Sequence, residues 1–334
     1  MVFSRQHCRV HIVLLLILCA CRVSAVSAGE WLSGGRAIMG TEVRVELWAD
    51  DADVGRALQA QVFAEFERLD TMMSPWKPAS EISRVNREAA RSPQKVSAEM
   101  FNVVLRSLHY SQLSNGAFDI SFAAAGQHYD YRSGKRPERE TLKAAQAAID
   151  FRSIVLDAQG QTIAFARPGM ALDLGGIAKG YAVDRGISIL VAAGITSAVV
   201  SAGGDSRILG DMGDRPRMIG VRHPREEGEY AAIIPLVDTA VSTSGDYERF
   251  FEEEGVRYHH ILDPATGESA DGLQSATVIA PLSLDCDALS TTVFVLGIER
   301  GLALVNSLEG VDAILIDADG KLHYSDELLL STTE

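Results

Sequence analysis

Leu172-Asp173-Leu174-Gly175-Gly176-Ile177-Ala178-Lys179-Gly180-Tyr181 runs from an apolar segment through a glycine pair into a helical pattern. The run up to Leu174 predicts a buried strand, and residues 177–193 predict a helix. Residues 197–201 then read as an apolar strand entering Gly203-Gly204-Asp205. On the N-terminal side, residues 37–48 alternate as one strand, with Val43, Val45 and Leu47 on one face. Residues 51–72 have helical spacing, with Val62, Phe66 and Leu69 together, and Ser74-Pro75-Trp76-Lys77-Pro78 ends that helix. Ser80 caps a short helix over residues 80–88, and an amphipathic helix over residues 98–113 stops at Asn115-Gly116. Residues 127–139 read as a polar surface excursion, 141–148 as a short helix, and 154–156 with 162–165 as a hairpin around Gln159-Gly160. Further strands are predicted at 218–221, 233–237, 240–242, 311–317 and 322–324, with helical segments at 288–296 and 300–307. Strands and helices mix without strict βαβ alternation, so the predicted class is α+β and not doubly wound.

The chain has 334 residues, 31 Lys plus Arg, 45 Asp plus Glu and 47% hydrophobic residues. That composition excludes disorder, collagen and disulfide-rich miniproteins. A net charge of −14 argues against a binder that neutralises nucleic-acid phosphates. Residues 1–28 read as an export signal: Arg5 and Arg9 form a positive start, residues 12–20 a short apolar core, and Val26-Ser27-Ala28 a small-residue cleavage site. These 28 residues hold three Arg and no acid, so cleavage takes the net charge from −14 to −17. Cys8, Cys19 and Cys21 lie in the leader, which leaves Cys286 alone in the mature chain with no intramolecular disulfide to form. Leu18-Cys19-Ala20-Cys21 also resembles a bacterial lipobox. Lipidation of Cys21 would make the protein membrane-anchored instead of freely periplasmic.

Three constellations have residue types suited to chemistry. Gly175-Gly176 before a helix permits close backbone approach and offers free N–H groups to phosphate, although a glycine turn also serves packing and Asp173 also serves as a cap. Walker A and Gly-x-Gly-x-x-Gly spacings are both absent. Asp287 and Thr291 are four apart and share a helical face; a carboxylate and a hydroxyl are hard ligands for Mg²⁺, and acidic residues also stabilise a helix start. Tyr258-His259-His260-Ile261 precedes the turn Asp263-Pro264-Ala265-Thr266-Gly267, and no second His or Cys cluster supports zinc. Ala117-Phe118-Asp119 and Trp76 are further candidates, each with a plain structural alternative.

In order along the chain, Ala37-Ile38-Met39-Gly40-Thr41, Met72-Met73-Ser74-Pro75-Trp76, Gly116-Ala117-Phe118-Asp119, the 173–181 run, Ser201-Ala202-Gly203-Gly204-Asp205, residues 260–267 and residues 287–291 resemble the ApbE family of FAD:protein FMN transferases. The resemblance covers nearly all of the chain after the leader. It implies a mixed-sheet, ApbE-like α+β fold, with residues 29–334 forming one large domain of intertwined subdomains. It also implies FAD binding by Met39, Trp76, Ala117, Phe118, Asp119, Asp173, Lys179 and Ile261. Mg²⁺ would be held by Gly176 through its carbonyl, Asp287, Thr291 and Ser290, with side-chain or backbone ligation left open for Ser290. Trp76 stands where Tyr is common, which keeps ring stacking and loses a phenol hydroxyl.

The implied reaction joins FMN to a Ser or Thr hydroxyl of a target protein and releases AMP. The pyrophosphate must be neutralised and the nucleophile held in line. His260 is the candidate proton acceptor, because imidazole titrates near working pH. An FAD pyrophosphatase giving FMN and AMP, and a non-catalytic periplasmic flavin-binding protein, remain as alternatives. Expected acceptors are exported or membrane redox subunits, and no nucleic-acid partner is expected.

Overall fold

A computed structural model describes residues 29–213 and 215–331. The predicted export signal and the lipobox Cys21 lie outside these residues. The chain opens with the hairpin β1 (Glu30–Ile38) and β2 (Thr41–Ala49), followed by α1 (Ala52–Met73), α2 (Glu81–Glu88), β3 (Gln94–Lys95), α3 (Ala98–Leu113), α4 (Ala123–Gly126) and α5 (Arg139–Gln146). The hairpin β4 (Ile154–Asp157) and β5 (Thr162–Phe165) precedes α6 (Ala178–Ala192), β6 (Ala198–Ala202), β7 (Asp205–Leu209), β8 (Arg217–Arg222), β9 (Tyr230–Leu236) and β10 (Ala240–Gly245). Then come β11 (Phe250–Glu253), β12 (Val256–His259), β13 (Leu273–Ala280), α7 (Ser283–Val305), β14 (Asp312–Asp317), β15 (Leu322–Tyr324) and α8 (Asp326–Ser331).

Eight strands form one sheet in the order β1-β2-β6-β7-β10-β13-β14-β15, which is also their order in the chain. Every neighbouring pair in it is antiparallel. The α+β class therefore stands, while the strand directions alternate throughout instead of mixing. The sheet is a meander, and each insertion leaves it and returns for the next antiparallel strand. All the elements from α1 to α6 fall between β2 and β6, the hairpin β8–β9 falls between β7 and β10, β11–β12 between β10 and β13, and α7 between β13 and β14.

Two local predictions need correction, and one strand was not predicted. Residues 37–48 are not one strand: Met39 (φ 54°) and Gly40 (φ 72°) make a two-residue hairpin turn of the mirror-image kind that matches strand twist. Residues up to Leu174 form no strand. Asn86 replaces a strand partner there, donating from its amide to the Leu172 carbonyl at 2.9 Å and accepting the Leu172 N–H at 2.8 Å. Buried β13, which the sequence reading did not place, carries Gln274, Ser275 and Thr277 among its apolar residues and shows no inside-outside alternation.

The main core lies where α1, α6 and α7 cover the sheet, and it includes the fully buried Val62, Phe66, Leu69, Val183, Leu190, Val293 and Phe294. A smaller core of Ile208, Leu236, Val241 and Ile279 seats the β8–β9 hairpin on the sheet. Helix α7 is long and apolar enough to cross a membrane, but here it packs against β10 and β13 and is interrupted at Gly297 (φ 75°), between the two helical segments read from the sequence. The start of α7 meets α6 at Gly180, where a β carbon would lie 2.2 Å from the Ser283 carbonyl oxygen. Gly180→Ala should cost about 1–3 kcal/mol, because backbone cannot rotate aside as a side chain can. Urea unfolding should show a lower midpoint with the slope preserved; an unchanged midpoint would contradict this packing.

Candidate active site

Helix α6 begins without a side-chain cap of its own. Asp287, one turn into α7, supplies one from outside: its Oδ2 accepts the Gly180 N–H at 3.0 Å. Lys179 Nζ lies 3.2 and 3.3 Å from the two Asp287 oxygens and 2.8 Å from Asp205 Oδ2 at the start of β7. Asp205 and Asp287 are almost wholly buried. Burial, followed by the nearby Asp205, raises the Asp287 pKa against the pull of Lys179. Burial alone would lower the Lys179 pKa, but the two carboxylates outweigh it and the ammonium is held. The cluster thus sets one ammonium against two buried carboxyl groups, and such a group is stable only while it remains paired.

A row of hydroxyls adjoins it. Ser242 Oγ donates to Asp205 Oδ1 at 2.7 Å and lies 3.2 Å from Ser290 Oγ. Ser244 Oγ is 2.9 Å from Ser290 Oγ and 3.3 Å from Thr291 Oγ1. Gly176 closes the other side, where a β carbon would come within 3.3 Å of Thr291 Oγ1 and 3.2 Å of the Phe118 ring. Among the described residues no group of three or more His, Cys, Asp or Glu is arranged to hold a metal. The available donors are oxygens of one carboxylate, hydroxyls and main chain, a set that fits Mg²⁺ and does not fit a softer ion. The Ser290 hydroxyl is wholly buried and faces Ser242, Ser244 and the Asp287 carbonyl.

The other predicted residues approach this cluster to different extents. Asp173 accepts the Gly175 N–H at 2.7 Å, and burial raises its pKa against the opposing charges of Arg249 and Lys179. Phe118 packs edge-on against Tyr110 and faces Gly176. Asp119 is occupied structurally: it accepts from the Ser121 N–H and hydroxyl and from the Phe151 N–H, which fixes the turn that carries Ala117 and Phe118. Ile261 is buried in the core. Met39 sits in its left-handed turn at the wall of a ≈ 460 Å³ cleft shared with Thr41, Asp70 and Lys77. Trp76 is 80% exposed, in the turn after α1.

The two histidines differ. His259 is tied by its ring, with Nε2 2.8 Å from the Ala270 carbonyl and Nδ1 accepting the Ile261 N–H. His260 Nδ1 is buried with no hydrogen-bond partner. The sequence reading missed Arg249, whose carbonyl accepts the His260 N–H at 3.1 Å and whose Nη2 lies 3.3 Å from where a Gly40 β carbon would be. It also missed Ser242 and Ser244, and it noted Asp205 only as part of a motif; small polar residues along a strand give no periodic signal of their own.

The ApbE family profile matches residues 39–315. The chain belongs to the ApbE family. It is 35% identical over 343 residues to a protein of Treponema pallidum named FAD:protein FMN transferase, covering 94% of this chain and 92% of that one. It is 31% identical to a Klebsiella pneumoniae protein of the same name, covering 84% and 87%. The ApbE protein of Thermotoga maritima superimposes with a TM-score of 0.83 at 31% identity, covering 90% of this chain and 99% of that structure. The flavin transferase ApbE of Vibrio cholerae gives 0.81 at 28% identity, with the same coverages.

Within this ApbE-family chain, burial and the Arg249 charge push the His260 pKa down to about 3. Its ring should therefore stay neutral down to pH 5 in the flavin-free protein. A depressed folded pKa means that the unfolded chain binds the extra proton, so His260 lowers stability as pH falls below about 6.5. NMR titration of the histidine ring protons should show no His260 midpoint between pH 5 and 8. A midpoint near 6.5 would contradict the buried setting.

Proposed function

We propose that this chain transfers FMN from FAD to a Ser or Thr hydroxyl of a target protein, with Mg²⁺ bound, and releases AMP. The observation that carries the reading is the convergence of Gly176, Lys179, Asp205, Asp287 and Thr291 from three separate chain segments into one cluster, in which Lys179 meets two buried carboxyl groups beside the Thr291 hydroxyl. Family membership and the names of the relatives support flavin transfer with FAD as donor.

Asp287, the Thr291 hydroxyl and the Gly176 carbonyl would hold Mg²⁺, which supplies polarisation of the phosphoryl oxygens and neutralises charge on departing AMP. Lys179 adds a second positive charge within reach of the same oxygens. Met39, Ala117, Phe118, Ile261 and the exposed Trp76 ring would bind the flavin nucleotide. Asp119 keeps the Ala117–Phe118 turn in place, and Asp173 braces the glycine turn. The acceptor oxygen attacks the FMN-side phosphorus, the bond from that phosphorus to the AMP-side bridging oxygen breaks, and AMP carries that oxygen away. The hydroxyl proton would pass to His260, and an anionic diphosphate nearby would raise the low proton affinity of its ring.

Incubation with FAD, Mg²⁺ and a Thr-bearing acceptor should add one FMN per acceptor and release AMP in equal amount, and EDTA should stop both. A Val in place of the acceptor Thr should abolish labelling. Equal AMP release with and without acceptor would instead establish hydrolysis. Asp287→Ala should cut transfer by more than about 100-fold, the scale for removing one preorganised charge-stabilising group. The variant should still fold, since Lys179 keeps Asp205 as its partner. Activity near that of the unsubstituted protein at limiting Mg²⁺ would contradict the assignment.

The proposed setting is the periplasm, with soluble or lipid-anchored protein acting on exported or membrane redox subunits. Intact mass of protein from the native envelope should give an N-terminus at or near Gly29 or a lipid-modified Cys21; an unprocessed cytoplasmic chain starting at Met1 would refute export.

A further inference from the structure

The hydroxyls beside the site form a row, Thr291, Ser244, Ser290, Ser242 and then the Asp205 carboxylate, with successive separations of 3.3, 2.9, 3.2 and 2.7 Å and one side contact from Ser290 to the Asp287 carbonyl. A hydroxyl has one hydrogen to donate and two lone pairs. Asp205, paired with the Lys179 ammonium, is a carboxylate and only accepts. The Ser242 hydrogen is therefore committed to Asp205, and the contact between Ser242 and Ser290 needs the hydrogen of Ser290. Ser244 must then donate to Ser290, and Thr291 to Ser244. If the Ser290 hydrogen goes instead to the Asp287 carbonyl, 3.1 Å away, Ser244 and Thr291 still donate in the same direction. Only a Ser290 hydrogen aimed at Ser244 reverses the row. That arrangement leaves the Ser242–Ser290 contact without a hydrogen, whereas the row running from Thr291 to Asp205 fills every contact along it.

We infer that Asp205, Ser242, Ser290 and Ser244 are positioning residues that turn the Thr291 hydroxyl hydrogen away from Asp287 and leave its lone pairs free for a cation. The inference rests on the Mg²⁺ reading of Asp287 and Thr291 given above. A hydroxyl hydrogen pointing at the cation would repel it, so an orienting acceptor behind the ligand raises affinity, as outer-shell partners do at other metal sites. The row also explains why Ser290 is wholly buried and yet polar: its oxygen is the link between β10 and the ligand-bearing turn of α7. Hydrogen-bonded rows of this kind polarise one another, so a break several links away is felt at the end.

The test is Mg²⁺ affinity measured by titration calorimetry on the FAD-loaded mature protein. Ser244→Ala removes the acceptor for Thr291 and should weaken Mg²⁺ binding by about 10-fold or more, while Ser244→Thr, which restores the hydroxyl, should stay within about threefold of the unsubstituted protein. Ser242→Ala touches neither Thr291 nor Asp287 and should weaken Mg²⁺ in the same direction by a smaller factor, which keeps the test open if Ser244→Ala folds poorly. Unchanged affinity in both alanine variants would overturn the row, and so would a Thr variant as weak as the Ala variant, because packing alone would then account for the loss. Absence of any Mg²⁺ heat from the unsubstituted protein would overturn the metal reading and the row with it, an outcome distinct from unchanged variants of a binding protein.

Discussion

The Lys179 ammonium lies 2.8 Å from Asp205 and 3.2 Å from Asp287, and water reaches neither carboxylate freely. One cation thereby ties three elements together: the first turn of α6, the first residue of β7 and the second turn of α7. Losing the Lys179 charge would leave both buried carboxyl groups without their cation, a change that typically costs about 3–5 kcal/mol, so the three elements hold one register. Gly180 permits that register. It lets α7 come close enough for Asp287 to accept the α6 backbone N–H, and any side chain there would strike the Ser283 carbonyl.

The sheet makes the same point from the other side. Because β7 and β10 are adjacent antiparallel strands, Ser242 of β10 pairs directly with Asp205 of β7 and presents its hydroxyl to that carboxylate. Two residues on, Ser244 occupies the same face by the period of a strand and reaches α7 at Ser290 and Thr291. Helix periodicity puts Asp287 and Thr291 on one face, and strand periodicity puts Ser242 and Ser244 opposite them. A divalent cation there would favour the ionised form of Asp287, which burial and Asp205 disfavour in its absence.

Much of this was legible in the sequence. Asp287 and Thr291 at i and i+4, the glycine pair before α6, and the amphipathic helices α1 and α3 all follow from spacing alone. What escaped depended on partners far along the chain. Leu172 looks like strand because its apolar neighbours suit one, but the Asn86 side chain takes the place of the neighbouring strand. Strand β13 escaped because both of its faces are buried and its Gln, Ser and Thr residues are satisfied inside the sheet region. Met39 gave no sign of a turn, since a left-handed non-glycine residue is a feature of conformation and not of composition. Ser242 and Ser244 read as ordinary β residues until Asp205 and Thr291 are placed at either end of them. Recognition of the family motifs joined segments that local rules treat separately, but it did not reveal the hydroxyls connecting them.

The most direct test of the account is the position of the cation itself. Crystals of the mature protein grown with FAD and Mn²⁺ in place of Mg²⁺ would locate it by anomalous scattering. The account predicts one strong peak bounded by the Asp287 carboxylate, the Thr291 hydroxyl and the Gly176 carbonyl, with the FAD diphosphate against it and Lys179 turned toward the phosphates. Anomalous density away from Asp287 and Thr291, or a diphosphate bound without contact to this cluster, would contradict it.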